Sequence, residues 1–125
     1  MNKNLFERYL HAGAISRNPD AIAELFTEDG VYEAPLVPPD HALPRRLVGR
    51  AAIRDGVGAF HFQGTPNIER SGYVLHETAD PDVFIAEIDA VFDGADGRST
   101  TMSLVQLFRV RDGLIARLRD YFAAP

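Results

Sequence analysis

The chain reads as an α+β fold, with three N-terminal helices covering one face of a strongly curved antiparallel sheet. Two observations predict it. Up to Phe62 most apolar residues recur at helical spacing, and after Gly64 the period changes from 3.6 to 2. The alternating half is then punctuated by Asp80-Pro81-Asp82, Asp93-Gly94-Ala95-Asp96-Gly97 and Asp112-Gly113, as hairpin connections are. Helices first and strands afterwards segregate the helices to one side of the sheet.

The first helix is predicted over residues 4 to 16, where Phe6, Leu10 and Ala14 form a stripe flanked by Leu5 and Tyr9. Asn18 caps a second helix with Pro19 at its first position and Ile22, Leu25 and Phe26 as its buried stripe. Asp29-Gly30 ends that unit, and a short strand, Val31 to Ala34, follows. From Pro35 to Val48 the prolines at 35, 38, 39 and 44 and the lack of periodicity predict a long irregular loop. A third helix is expected from Ala51 to Phe62, with Ile53, Val57, Phe60 and His61 on one face, although Gly56 and Gly58 weaken it. Four strands complete the chain: Ile68 to Thr78, Val83 to Phe92, Thr100 to Arg111 and Leu114 to Phe122.

At 125 residues this is a single domain, residues 1–125, large enough to bury a core without staples. The absence of cysteine excludes disulfides, thiolate zinc sites and a thiol nucleophile. Charge in Met1 to Arg8, where a signal peptide needs its apolar core, predicts a cytoplasmic protein, and no apolar run reaches membrane-spanning length. A formal charge of -5 with scattered basic residues argues against nucleic acid as a partner. His11, His41 and His76 stand at no ligand spacing, so neither a metal nor another cofactor is expected.

The last strand carries the most informative residue. Leu114, Ala116, Leu118, Asp120 and Phe122 share one face, so a carboxylate looks into an apolar interior. Burying a charge is costly unless it is paired, hydrogen-bonded or protonated; Asp120 therefore has a structural partner or lines a wet pocket. A three-residue hairpin loop with Gly113 in the left-handed position would pair Val110 with Leu114, Gln106 with Leu118 and Leu104 with Asp120. The opposite face then collects Val105, Leu107, Ile115 and Tyr121 with Arg109, Arg111, Arg117 and Arg119. Such a mixture suits a homodimer interface better than bare solvent.

Two segments, Leu25-Phe26-Thr27-Glu28-Asp29-Gly30-Val31-Tyr32-Glu33-Ala34-Pro35 and Phe108-Arg109-Val110-Arg111-Asp112-Gly113-Leu114-Ile115 through Arg119-Asp120-Tyr121-Phe122, resemble the SnoaL-like branch of the nuclear transport factor 2-like superfamily. The resemblance implies a cone of helices over a curved sheet enclosing a pocket for a small apolar molecule. Its activities are several, so function has to be argued from the site. Tyr9 matches the oxyanion-hole tyrosine of the ketosteroid isomerases, but their general base falls at Ala34 and their second acid near Leu104. In the epoxide-hydrolase-like pattern Asp120 matches the last-strand aspartate. Asp89 resembles the acid of an Arg-x-Asp pair whose arginine is replaced by Glu87. Alternation instead points Glu87 and Asp89 outward, because Phe84, Ala86, Ile88, Ala90 and Phe92 form the apolar face of their strand.

The resulting candidates are Asp120 and Asp89 as catalytic acids or bases, with Tyr9, Tyr32, His61, Leu104, Gln106, Phe108 and Leu118 as the substrate-binding set. Together they suit a cofactor-independent isomerase, cyclase or epoxide-hydrolase-like enzyme acting on a small apolar carbonyl or epoxide. The alternative is a non-catalytic ligand-binding or dimerisation module in which Asp120 is structural.

Overall fold

The computed structural model describes residues 2–58 and 64–123. Helix α1, Asn2–Leu10, continues into a π-helical turn, His11–Ile15, so the first predicted helix is present but changes its winding near its end. Such turns recur at functional sites because they widen the helix locally. Helix α2, Pro19–Glu24, begins as predicted: Pro19 occupies its first turn and the Ala21 N–H donates to Asn18 Oδ1 at 3.2 Å. It ends sooner than the apolar stripe suggests. Phe26 is fully buried, but as the first residue of strand β1, Phe26–Glu33, where it pairs with Ile115. Strand pairing at this point overrides the helical spacing of Leu25 and Phe26.

The proline-rich stretch is only partly irregular. Strand β2, Arg46–Val48, pairs antiparallel with β1, and the loop before it buries Val37 and Leu43 in the core. Helix α3, Arg50–Gly58, follows. A side chain on Gly56 would meet Leu47 at 2.4 Å, so the residue that weakens the helix by propensity is what lets it lie close against β2. The rest of the predicted third helix, including His61, lies outside the described residues.

The predicted strand Ile68 to Thr78 is present in shortened form as β4 (Gly72–Glu77), and an unexpected two-residue strand, β3 (Thr65–Pro66), precedes it; both run antiparallel to β5 (Val83–Asp93). Strands β6 (Ser99–Arg111) and β7 (Leu114–Tyr121) complete a seven-stranded sheet of order β2-β1-β7-β6-β5-β3, with β4 also on β5. The sheet is mixed rather than wholly antiparallel, because β1 runs parallel to β7. Alternation reveals which face a strand buries but not the direction of its neighbour, and this pairing joins the two ends of the chain.

The β6–β7 register corrects the sequence expectation. Asp112 and Gly113 have φ of 54° and 77° and form a two-residue turn, pairing Arg111 with Leu114 and Val110 with Ile115. The register then shifts at Ala116, so that Arg109 pairs with Arg117, Phe108 with Leu118 and Gln106 with Asp120. Asp120 therefore faces Gln106 across the ladder, not Leu104. The bulge also turns Ile115 inward, where it is fully buried, and removes it from the outer face expected to dimerise. Beneath the concave face, Phe84 and Phe108 stack with ring centroids 4.6 Å apart, and Phe6 meets Phe108 edge-on at 5.8 Å.

Candidate functional site

A cavity of about 160 Å³ lies between the concave face and the helices. Ile88, Ala90 and Phe92 of β5 and Met102, Leu104 and Gln106 of β6 line it, with Asp120 of β7 and the following Phe122. Tyr9, Leu10, Gly13 and Ala14 line it from the first helix and its π turn, and Pro19, Ile22 and Val57 from α2 and α3. Tyr32 and Leu43 contribute from β1 and the proline-rich loop. A void of ~150 Å³ admits a benzene ring, so the space is of single-ring size.

Asp120 is the one carboxylate among the described lining residues and is only 6% exposed. Tyr32 Oη donates to its Oδ2 at 2.6 Å and Gln106 Nε2 to its Oδ1 at 3.3 Å. Both contacts follow from the ladder. Gln106 is directly opposite Asp120, and Tyr32 pairs with Leu118 two residues earlier on the same face. Both partners are neutral, and no cation among the described residues contributes to its charge balance. This departs from the ion-paired structural aspartate.

Burial pushes the Asp120 carboxyl up, the hydrogen bonds from Tyr32 and Gln106 pull it down, and the balance is a pKa of about 6. About nine-tenths of such a group is ionised at pH 7, close to the optimum for a general base. Tyr32 and Tyr9 move the other way in function. Burial, and then the charge on Asp120, raises both phenols well above their ordinary value, so they stay protonated as hydrogen-bond donors. Tyr9 is half-buried because its ring faces the cavity, at 5.6 Å edge-on to Phe108.

Gln106 is 5% exposed, and its Oε1 has no hydrogen-bond partner among the described residues. An ionised carboxylate accepts only, so the amide must present its NH2 to Asp120 and turn its oxygen elsewhere. The site therefore holds one base, two phenolic donors and an unused acceptor within a largely apolar wall.

The expected site residues divide three ways. Asp120, Tyr9, Tyr32, Leu104 and Gln106 line the cavity together. Phe108 and Leu118 do not; both are fully buried in the core below it. His61 lies outside the described residues. Asp89 stands exposed on the outer face of β5, accepting a hydrogen bond from Ser103 Oγ at 2.6 Å, with Glu87 beside His76 on the same face. Alternation predicted that orientation, which sets Asp89 apart from Asp120 and the cavity rather than beside it as the expected catalytic pair. Sequence reasoning missed Arg17, whose exposed side chain lines the cavity and whose Nη2 donates to the Gly64 carbonyl at 2.8 Å. Its φ of 47° has no signature in the residue type. Leu43 was missed as well, although an isolated leucine among prolines is a visible sign of a loop that folds inward. No cluster of three or more metal-ligating side chains occurs among the described residues, and no helix there is long and apolar enough to cross a membrane.

Comparison with known proteins agrees with this architecture. A family profile described as the SnoaL-like domain matches residues 6–118. The uncharacterized protein YesE of Bacillus subtilis (strain 168) is 30% identical over 121 residues, covering 92% of this chain and 77% of that protein. A Bacillus subtilis crystal structure described provisionally as an isomerase superposes with a TM-score of 0.79 at 24% identity, covering 96% of this chain and 84% of the other. A Mycobacterium tuberculosis epoxide hydrolase of the LEH-like kind superposes at 0.63 with 19% identity, over 95% of this chain and 80% of its own. At these identities the two structures establish the shared fold. The chain belongs to the SnoaL-like family.

Proposed function

We propose that this member of the SnoaL-like family is a cofactor-independent enzyme in which Asp120 is the general base for a small, ring-sized carbonyl compound. The observation that carries the reading is a buried carboxylate with neutral partners, held at a pKa of about 6 in a largely apolar cavity. Asp120 takes a proton from the carbon beside the carbonyl, and the electron pair moves onto the carbonyl oxygen. Tyr9, kept protonated by burial, donates to that oxygen as it gains charge. Returning the proton to a different carbon gives an isomerase; attack of the enolate carbon on a second carbonyl gives a cyclase. Epoxide opening is less well supported, because it would call for a second acid and Asp120 is the one carboxylate lining the described cavity.

Deuterium exchange from heavy water into small cyclic ketones, followed by NMR, tests the base without the natural substrate. Wild type should exceed Asp120→Asn by about 10²- to 10⁴-fold, the usual contribution of a positioned base. Equal exchange in the two proteins would favour a binding module instead.

We further propose a homodimer through the outer sheet face. Val74 and Val105 are 57% and 41% exposed there, beside half-buried Leu107 and Tyr121. Charge supports a second copy as the occupant. Glu33 alone faces Arg46, Arg117 and Arg119 at the β1–β2–β7 side, whereas Glu87 and Asp89 stand on β5. Two-fold pairing can oppose these unlike charges. Light scattering at tens of micromolar, roughly where a standard interface persists, should give the dimer mass; a monomer would contradict it.

A further inference from the structure

Gln106 holds a recognition group that the proton chemistry leaves unused. Its side chain is 5% exposed, its Nε2 is committed to Asp120, and its Oε1 is buried without a partner among the described residues. The residue opposite it on β5 is Ala86, which has no side-chain donor to offer. A buried acceptor that has lost water and gained nothing weakens the fold, so a native protein keeps one where something else supplies the donor. The cavity is the space from which that donor can come.

We propose that Gln106 Oε1 accepts a hydrogen bond from a hydroxyl of the substrate, making the ligand class ring-sized hydroxy-carbonyl compounds rather than plain ketones. This rests on the cavity being the substrate site and Asp120 its base. Because Gln106 and Asp120 are bonded to each other, a hydroxyl held by Oε1 lies beside the carbon that faces the carboxylate. The hydroxyl is therefore carried next to the position that loses its proton. Asp120 removes that proton, the electron pair forms the enolate, and the same proton can return from Asp120, so no further reactant is consumed. Analogues lacking the hydroxyl would leave Oε1 unpaired and be rejected, as sites built around a polar group reject isosteres without it.

Phenol and toluene, nearly equal in size, test this by calorimetric or NMR titration at pH 8. The readout is the phenol-to-toluene affinity ratio in wild type, Gln106→Met and Asp89→Asn. The ratio should fall about tenfold in Gln106→Met, the scale of one hydrogen bond to a buried acceptor, while toluene binding persists and reports an intact cavity. Asp89→Asn, exposed on the outer face and away from the cavity, should keep the wild-type ratio. A ratio unchanged in Gln106→Met, or lowered as much in Asp89→Asn, would overturn the assignment, as would failure of wild type to bind either probe. Asp120-dependent deuterium exchange is measured separately. If exchange persists while the ratio ignores Gln106, this inference alone fails; if the ratio follows Gln106 while exchange ignores Asp120, the base alone fails.

Discussion

Asp120 and Asp29 are carboxylates of the same kind in opposite settings. Asp29 is exposed, accepts from Thr27 Oγ1 at 2.9 Å and from Arg111 Nη2 at 2.7 Å, and these bonds with the Arg111 charge lower its pKa. Asp120 is buried with two neutral donors and has its pKa raised. The outward carboxylate is fixed in its charged form throughout the neutral range. The inward one can exchange its proton there, so the face of the sheet, not the residue type, decides which aspartate can do acid–base work.

Asp120→Asn should produce the largest separation between the two regions. Besides the loss of exchange, it should stabilise the fold at pH 8, because it removes a buried charge with no cationic partner among the described residues. The rise in pKa from 3.8 to about 6 corresponds to a gain of up to ~3 kcal/mol, measurable by denaturant unfolding. Marked destabilisation would mean that Asp120 is an ion-pair member after all.

Tyr32→Phe should have the next largest effect. It deletes the 2.6 Å bond that favours the charged carboxylate, so the Asp120 pKa should rise further. The pH midpoint of exchange should move alkaline, and stability at pH 8 should fall by about 1–3 kcal/mol. An unmoved midpoint would remove Tyr32 from the base's environment.

Asp89→Asn should change least. Its contact is one exposed hydrogen bond with Ser103, so stability should stay within roughly 0.5 kcal/mol and exchange should not change. Loss of exchange in this variant would restore Asp89 to the chemistry.

What was legible in the sequence followed from side-chain period, and what was not depended on partners. An aspartate between Leu118 and Phe122 identified the inward carboxylate, and the apolar run from Phe84 to Phe92 turned Glu87 and Asp89 outward. Gln106 as the neighbour of Asp120 was not legible, because the two-residue turn and the bulge at Ala116 each displace the β6–β7 ladder by one residue, two in all, from the expected pairing. A shift of two preserves the face, which is why Asp120 and Gln106 still fell in the site while Ile115, before the bulge, did not stay on the outer face. The parallel β1–β7 pair was equally hidden, since Phe26 has helical spacing to Ile22 and its partner lies far along the chain.

The most direct test is a carbon-13 NMR titration of the Asp120 carboxyl in the wild-type protein, with unfolding measured over the same pH range. The account predicts a midpoint near 6. Its folded pKa is raised, so the native state holds this proton more tightly than the unfolded chain. The associated stability is complete below about pH 4 and lost as pH rises through about 6, while exchange activity rises over that upper limb. A carboxyl titrating at or below its ordinary value of 3.8, with stability not falling between pH 4 and 6, would contradict the account.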